Sequence, residues 1–245
     1  MSSLFLCITL IQSLAQIDPQ FKDFIRQYQT HHAELKSFEA SFVQFTQTDE
    51  VPTGLAAGVI TFKAPASLLI QYNDMGDYRP SLCYVFDGNM LSVYNADTEQ
   101  LDEWDSADIP EIPALVAAFS FDLSALIPRL TIETLAKSDF NDVLSRSFGT
   151  QNIGPIFRIK PVKPDDSLFA SITVMMASNF LPRMILVEDA LEKDQTVMIV
   201  VADVKLNPPS TGDDLRIRIP PGTTHVVNEE PKEDIGAGGL VLPRE

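Results

Sequence analysis

The feature that most constrains this chain is a run of alternating apolar residues between Leu55 and Asn95. Apolar side chains occupy every second position at Ile60 and Phe62, and again at Leu68 and Ile70. A period of two residues is that of a β-strand with one face turned inward. The run therefore predicts successive strands that share one large apolar face.

An N-terminal helix and further strands surround this run. Asp18 is suited to cap a helix and Pro19 to occupy its first position, and the period changes to two at Ser37, where a first strand is predicted. Asp87-Gly88 lies between two apolar runs and predicts a tight hairpin. Later strands are predicted at Phe157–Ile159, Phe169–Met176, Arg183–Val187, Thr196–Val204 and Leu215–Ile219.

Proline residues bracket a different pattern between Ile109 and Leu135, where apolar residues recur at helical spacing. We expect short helices in this segment. From His225 to Glu245 the periodicity disappears, which predicts a disordered acidic tail. No repeat or internal linker is present, so one domain is predicted for residues 16–224.

The charge balance argues against binding to nucleic acid. The 245 residues contain 18 Lys and Arg against 34 Asp and Glu, a formal net charge of -16. Binding to nucleic acid through phosphates would need a local basic patch, and the sequence contains none. The acidity is interpreted as a source of solubility.

The first 15 residues have the character of a secretory signal. Leu4–Ala15 is mostly apolar but too short to span a bilayer, and Ser13 and Ala15 place small residues where a signal peptidase reads them. A basic residue before Leu4 is missing, and a buried first helix is the alternative interpretation. Cleavage would remove Cys7 and leave Cys83 alone, so no disulfide framework is predicted.

Catalytic and metal-binding patterns are absent from the sequence. The three histidines are His31, His32 and His225, and no metalloprotease, nucleophile-elbow or phosphate-loop motif occurs. Asp165-Asp166 and Asp213-Asp214 lie in predicted turns, where such pairs are usually solvated. The sequence therefore predicts a protein that is not an enzyme and that has no metal or cofactor.

Eight segments, taken together and in order, resemble a known family. They are SFEASFVQ (Ser37–Gln44), GVITFKAP (Gly58–Pro65), LLIQY (Leu68–Tyr72), VFDGNMLSVYN (Val85–Asn95), FRIKP (Phe157–Pro161), FASITVMM (Phe169–Met176), LPRMILVED (Leu181–Asp189) and IRIPPG (Ile217–Gly222). Their order and spacing resemble those of the periplasmic outer-membrane lipoprotein carriers, the LolA-like family.

The resemblance implies a mainly β fold with some helix: an unclosed antiparallel β-barrel with short helices forming a lid over an apolar cavity. It also implies a periplasmic, monomeric carrier that shelters the acyl chains of lipoproteins. Such a carrier receives its cargo from an inner-membrane ABC-type exporter and delivers it to an outer-membrane acceptor.

Candidate site residues follow from strand position and from this resemblance. The acyl-chain cavity is predicted to be lined by Phe38, Phe42, Ile60, Phe62, Leu68, Ile70, Tyr72, Leu91, Val93, Ile172, Val174 and Met176. The predicted lid residues are Ile112, Leu115, Val116 and Phe119. The same stripes would also line a packed core, because periodicity does not separate a core from a cavity.

One position departs from the family pattern. Relatives commonly carry an inward-facing Arg before the strand-ending proline, and this chain has Ala64 there, with Lys63 predicted to point outward. The lid latch that the resemblance implies therefore lacks its usual residue. The alternative function is a lipid-binding or lipoprotein-sensing interaction module of similar fold that does not transport lipoproteins.

Overall fold

The structure, a computed structural model, describes most of the chain between Asp18 and Asn228. The described residues are 18–31, 34–64, 67–74, 79–105, 130–140, 153–162, 169–190, 194–209, 215–217 and 219–228. The predicted signal segment, the four predicted lid residues, both predicted Asp pairs and His32 lie outside these ranges.

Strands dominate the described residues. Helix α1 is Pro19–His31, and a short 3-10 helix is Lys137–Phe140. The strands are β1 Ser37–Thr48, β2 Val51–Lys63, β3 Ser67–Asn73, β4 Pro80–Phe86, β5 Met90–Asn95, β6 Gln100–Asp105, β7 Leu130–Leu135, β8 Ile153–Pro161, β9 Phe169–Ala177, β10 Pro182–Asp189, β11 Gln195–Leu206 and β12 Thr224–Asn228. Within the described part of the chain, no helix has the length and apolar character needed to cross a bilayer.

The twelve strands form one hydrogen-bonded sheet in the order β12-β6-β5-β4-β3-β2-β1-β11-β10-β9-β8-β7. Strands β2 to β6 pair antiparallel in succession, and so do β7 to β11, whereas β12 runs parallel to β6. Since β12 and β7 end the order, the sheet is unclosed. The mainly β, unclosed antiparallel fold predicted from the sequence is confirmed.

Contacts divide the chain into two compact units. The single domain predicted for residues 16–224 stays a prediction. The helical unit comprises Met1–Ala33, Thr46–Thr53 and Leu123–Val200. The strand unit comprises Glu34–Phe45, Gly54–Asp122 and Val201–Glu245.

In the helical unit, α1 begins where its sequence predicts. Asp18 caps it by accepting a hydrogen bond from the Gln20 amide at 2.7 Å. Buried Phe21 and Phe24 pack on Phe157 of β8, with ring centroids 4.9 and 4.8 Å apart. An aromatic contact therefore joins the apolar side of the helix to the sheet.

The sheet of the helical unit is apolar on both faces. Phe157, Val174 and Ile185 lie opposite one another in register, on the face that carries the helix. The other face holds a buried cluster. Its core residues are Ile156, Met175 and Met184, and partly buried Leu135, Phe140, Ile153 and Met198 pack against them.

The strand unit contains the predicted tight hairpin. Asp87 accepts hydrogen bonds from the amides of Asn89 and Met90, both at 2.9 Å, and Gly88 adopts a φ of 109°. A positive φ is accessible to glycine without a Cβ clash, which explains the Asp-Gly pair at this turn. The amide donors also lower the pKa of Asp87, because they stabilise its charged form.

The C-terminal part of the strand unit differs from the sequence-based expectation. Leu215–Ile217 is not a strand; instead Ile217 packs on the buried cluster of Cys83, Tyr94 and Leu101. Thr224–Asn228 forms β12, so the first residues of the segment predicted to be disordered are strand. The strand is joined to β6 by its ladder and by His225 Nε2, which lies 2.6 Å from Glu103 Oε2. Residues beyond 228 lie outside the described part.

Besides β12, two further strands were not predicted from the sequence. Strand β7, Leu130–Leu135, lies where short helices were expected, and β6, Gln100–Asp105, was not predicted. Strand β7 is stabilised by its antiparallel pairing with β8. Tertiary pairing therefore overrides the local pattern here.

Asp18 also connects the helix to an edge of the sheet, which makes its contribution to stability testable. Its Oδ2 accepts the backbone amide of Thr134 in β7 at 3.0 Å. The hydrogen bonds from Gln20 and then Thr134 lower the pKa of Asp18 below its ordinary 3.8. The stabilisation that the Asp18 carboxylate provides is therefore fully present at pH values above its ordinary pKa. It is lost as the pH falls through the lowered pKa of the folded state.

We expect Asp18→Ala to lower the free energy of unfolding by about 0.5–2 kcal/mol at pH 7, since it removes a helix cap. Asp18→Asn keeps an acceptor oxygen and should lose less. The difference in the free energy of unfolding between wild type and Asp18→Asn should shrink when urea unfolding is repeated at pH values lowered toward 3. A difference that is constant with pH would contradict the assigned role of the carboxylate.

Candidate functional site

Seven of the predicted cavity residues occupy one face of β2 to β5 in the strand unit. Directly opposed residues of paired strands point to the same side of a sheet. One row runs Phe62, Leu68, Phe86, Leu91 and Trp104, and the next runs Ile60, Ile70, Tyr84, Val93 and Asp102. A third row contains Gly58, Tyr72 and Leu82. We call this side of the strand unit the apolar face.

Two residues of β1 complete the apolar face through ring contacts. The Phe38 ring stacks on Phe62 with centroids 5.7 Å apart, and the Phe42 ring meets Tyr72 edge-on at 5.2 Å. All nine predicted residues of this unit therefore lie together, and all are buried except Val93, which is half-buried. Their role in binding an acyl chain stays a prediction.

Three aromatic members of the rows were not predicted from the sequence. Phe86 and Trp104 are buried and Tyr84 is half-buried. Phe86 directly precedes the Asp-Gly turn and could have been found from the hairpin register. Trp104 could not, because its strand reads QLDEWD, in which three acidic residues obscure the alternation.

The other three predicted cavity residues belong to the helical unit. Ile172, Val174 and Met176 alternate along β9, and Val174 pairs with Phe157. They therefore share the face on which α1 packs. Met176 is buried, while Ile172 and Val174 are half-buried. Their participation in the same wall as the apolar face stays a prediction.

A buried polar pair interrupts the apolar face. The Tyr72 hydroxyl donates a hydrogen bond to Gln44 Oε1 at 3.0 Å. Gln44 is 0% exposed and its Nε2 has no hydrogen-bond partner in the structure. Burial raises the pKa of Tyr72, so its hydroxyl stays protonated and available as a donor.

Gly58 makes room for this arrangement. It lies opposite Tyr72 in the β2–β3 ladder. A Cβ at position 58 would stand 2.8 Å from the Cε1 and Cζ atoms of Phe42 and would also clash with the Gln71 carbonyl. Only a residue without a side chain allows the Phe42 ring to lie beside Tyr72.

The described Ser92, His225 and Cys83 of the strand unit do not form a catalytic arrangement with one another. Ser92 and His225 contact opposite oxygens of Glu103, so the serine hydroxyl donates to the carboxylate rather than to the imidazole. Burial raises the pKa of the Cys83 thiol to about 11, which keeps it in the unreactive protonated form. Among the residues that the structure describes, no group of three or more His, Cys, Asp or Glu could hold a metal ion.

Comparison with solved structures finds a protein of the same fold. No protein-family model and no curated protein matches the chain. Among solved structures, an uncharacterized conserved protein from Thermus thermophilus matches with a TM-score of 0.50 at 10% identity, covering 85% of this chain and 99% of that one. The two proteins share a fold.

Two further similar structures carry family descriptions. A putative outer membrane lipoprotein-sorting protein domain from Vibrio parahaemolyticus has a TM-score of 0.43 at 8% identity, covering 79% of this chain and 95% of that one. A LolA superfamily protein from Nitrosomonas europaea has a TM-score of 0.36 at 11% identity, covering 76% and 94%.

The close approach at Gly58 predicts an unusual response to a small substitution. Gly58→Ala should lower the free energy of unfolding by about 1–3 kcal/mol, because the new methyl group displaces Phe42 and strains the ladder at Gln71. In an ordinary strand the same change would be favourable. Urea unfolding checks this, with Ala57→Val on the other face as the control that should be nearly neutral. A stabilised Gly58→Ala variant would disprove the close approach.

The polar pair predicts a non-additive double mutant. Tyr72→Phe should cost about 1–3 kcal/mol, because it leaves the buried Gln44 amide without any partner. Adding Gln44→Leu to Tyr72→Phe should restore much of that loss, since the pair is then replaced by apolar groups. Chemical unfolding of both single variants and the double variant measures the coupling energy, and strictly additive losses would refute the pairing.

Proposed function

We propose that this chain is a soluble periplasmic carrier that shelters the acyl chains of lipoproteins and transfers them from the inner to the outer membrane. The observation that carries the proposal is the apolar face. Three rows of paired side chains place aromatic and aliphatic groups together on the same side of β2 to β5. The other side of β4 to β6 carries the separate buried cluster of Cys83, Tyr94 and Leu101.

The composition of the strand unit supports a container. All secondary-structure elements that the structure describes in this unit are strands, so no described helix of the same unit packs on the apolar face. The proposed cover is the segment that carries the predicted lid residues Ile112, Leu115, Val116 and Phe119. In this proposal the lid opens when an acyl chain enters.

The energetics of acyl chains explain why such a face is useful. A chain of about 16 carbons gains on the order of 0.8 kcal/mol for each CH₂ group that leaves water. It therefore does not cross an aqueous compartment unescorted. Aromatic and branched side chains such as Phe42, Ile60 and Leu68 provide a surface of the required character.

The partners belong to the same proposal. An inner-membrane ABC-type exporter would load the carrier and an outer-membrane acceptor would unload it, with no cofactor and no covalent step. The lipoprotein-sorting and LolA superfamily descriptions of similar structures are compatible with this assignment. A lipid-binding or lipoprotein-sensing module of the same fold would use the same face without handing its ligand on.

Cargo analysis tests the proposal directly. The protein is purified from an envelope fraction and examined by native mass spectrometry before and after organic extraction. An acylated peptide that is lost on extraction and regained on adding lipoprotein would support the carrier. Protein that is empty, and that refuses an acyl-chain probe, would contradict it; cargo that binds but is never transferred to acceptor membranes would favour the sensing module.

A charge placed on the apolar face should block loading. Ile70→Glu is expected to weaken binding of a fluorescent palmitoyl probe roughly tenfold or more, because a carboxylate must lose its hydration beside the chain. Gln71→Glu adds the same charge to the other face of the same strand and should bind normally. Urea unfolding confirms that both variants fold, and equal binding by a folded Ile70→Glu variant would place the acyl chain elsewhere.

A further inference from the structure

Gln44 is the one polar side chain on the buried positions of β1 within the strand unit. The other buried positions of that part of the strand are Phe38, Ala40 and Phe42. Glutamine is fully buried here, and its amide oxygen is occupied by the Tyr72 hydroxyl. Its amide nitrogen, with two N–H groups, has no acceptor in the structure.

A buried donor without an acceptor calls for an explanation. Nearly all buried polar groups in folded proteins have a partner, and exceptions often mark a place that a bound water or ligand occupies. The Tyr72 hydroxyl holds the Gln44 side chain through its oxygen, which leaves the nitrogen as the free end. The position of this donor on the apolar face means that a ligand bound to that face would meet it.

The surrounding charges indicate the chemistry of the acceptor. Every described Lys and Arg of the strand unit is exposed, so none of these residues is a buried cation that could accompany Gln44 in binding a phosphate or carboxylate. These residues are Lys36, Lys63, Arg79, Lys205 and Arg216. An uncharged N–H donor among aromatic rings suits an uncharged acceptor, because neither partner then carries the desolvation cost of a charge.

We infer that Gln44 Nε2 donates a hydrogen bond to the carbonyl oxygen of an ester- or amide-linked acyl chain bound on the apolar face. This inference rests on the proposed function and adds a specificity that a hydrocarbon surface lacks. Tyr72 acts as a positioning residue toward the carbonyl, since its hydroxyl orients the Gln44 amide and is not itself the donor to the ligand. The ligand class is an acylated lipid or peptide, as distinct from a bare hydrocarbon chain.

A matched pair of probes tests the inference. The ester 1-palmitoyl-lysophosphatidylcholine and the ether 1-O-hexadecyl-lysophosphatidylcholine have the same headgroup and chain length, and only the ester carries a carbonyl. Their dissociation constants are measured by displacement of a fluorescent palmitoyl probe below the micelle concentration. Wild-type protein should prefer the ester roughly five- to tenfold, which is the effect of one net hydrogen bond.

Variants assign that preference to Gln44. Gln44→Leu should bind both probes with equal affinity, as should the Gln44→Leu/Tyr72→Phe double variant, which serves if the single variant does not fold. Gln47→Leu changes an exposed glutamine of the same strand and should keep the preference. The infrared carbonyl band of a ¹³C-labelled ester should shift to lower wavenumber on binding to wild type and not to Gln44→Leu.

The outcomes separate this inference from the function on which it rests. Equal binding of ester and ether by wild type would overturn the inference and leave the carrier intact, as expected if water occupies the amide. A preference that survives in a folded Gln44→Leu variant would also overturn it. If wild type binds neither probe, the proposed function fails together with the inference.

Discussion

Strand register is the constraint on which the apolar face depends. In the ladders from β2 to β5, each row of opposed residues places apolar groups on one side, and a slip of one residue would turn all of them over. Two local features hold this register. The Asp87 turn fixes the hairpin of β4 and β5, and Gly58 admits the Phe42 ring from β1 at the one point where a side chain would exclude it.

Much of this arrangement could be predicted because it is local. Alternation is a property of neighbouring residues, so the sequence alone predicts the inward positions of β2 and β3, such as Ile60 and Ile70. The N-terminus of α1 was predictable for the same reason, since Asp18 caps the helix by accepting a hydrogen bond from the nearby Gln20 amide. Both signals arise within a few residues of the chain.

The features that were missed depend on distant partners. Strand β12 forms because Thr224–Asn228 pairs with the edge strand β6, more than 100 residues earlier in the chain. The local sequence of Thr224–Asn228 does not predict that pairing. Strand β6 was missed for a different reason: its acidic residues hide the apolar alternation that would mark Trp104 as an inward residue. Burial on both faces adds a second ambiguity, because the cluster around Met175 lies on the other side of β9 from the predicted Val174.

Gln44 shows what the apolar stripe alone conceals. In an apolar alternation pattern a buried glutamine is only an interruption. In the structure, however, the Gln44 amide oxygen accepts a hydrogen bond from Tyr72, and the amide nitrogen has no acceptor. Apolar burial is non-directional and favours any chain of sufficient length, whereas a hydrogen bond requires an acceptor at a defined position. The two requirements together would let one surface take up acyl chains of varied length and still fix the depth at which the carbonyl end comes to rest.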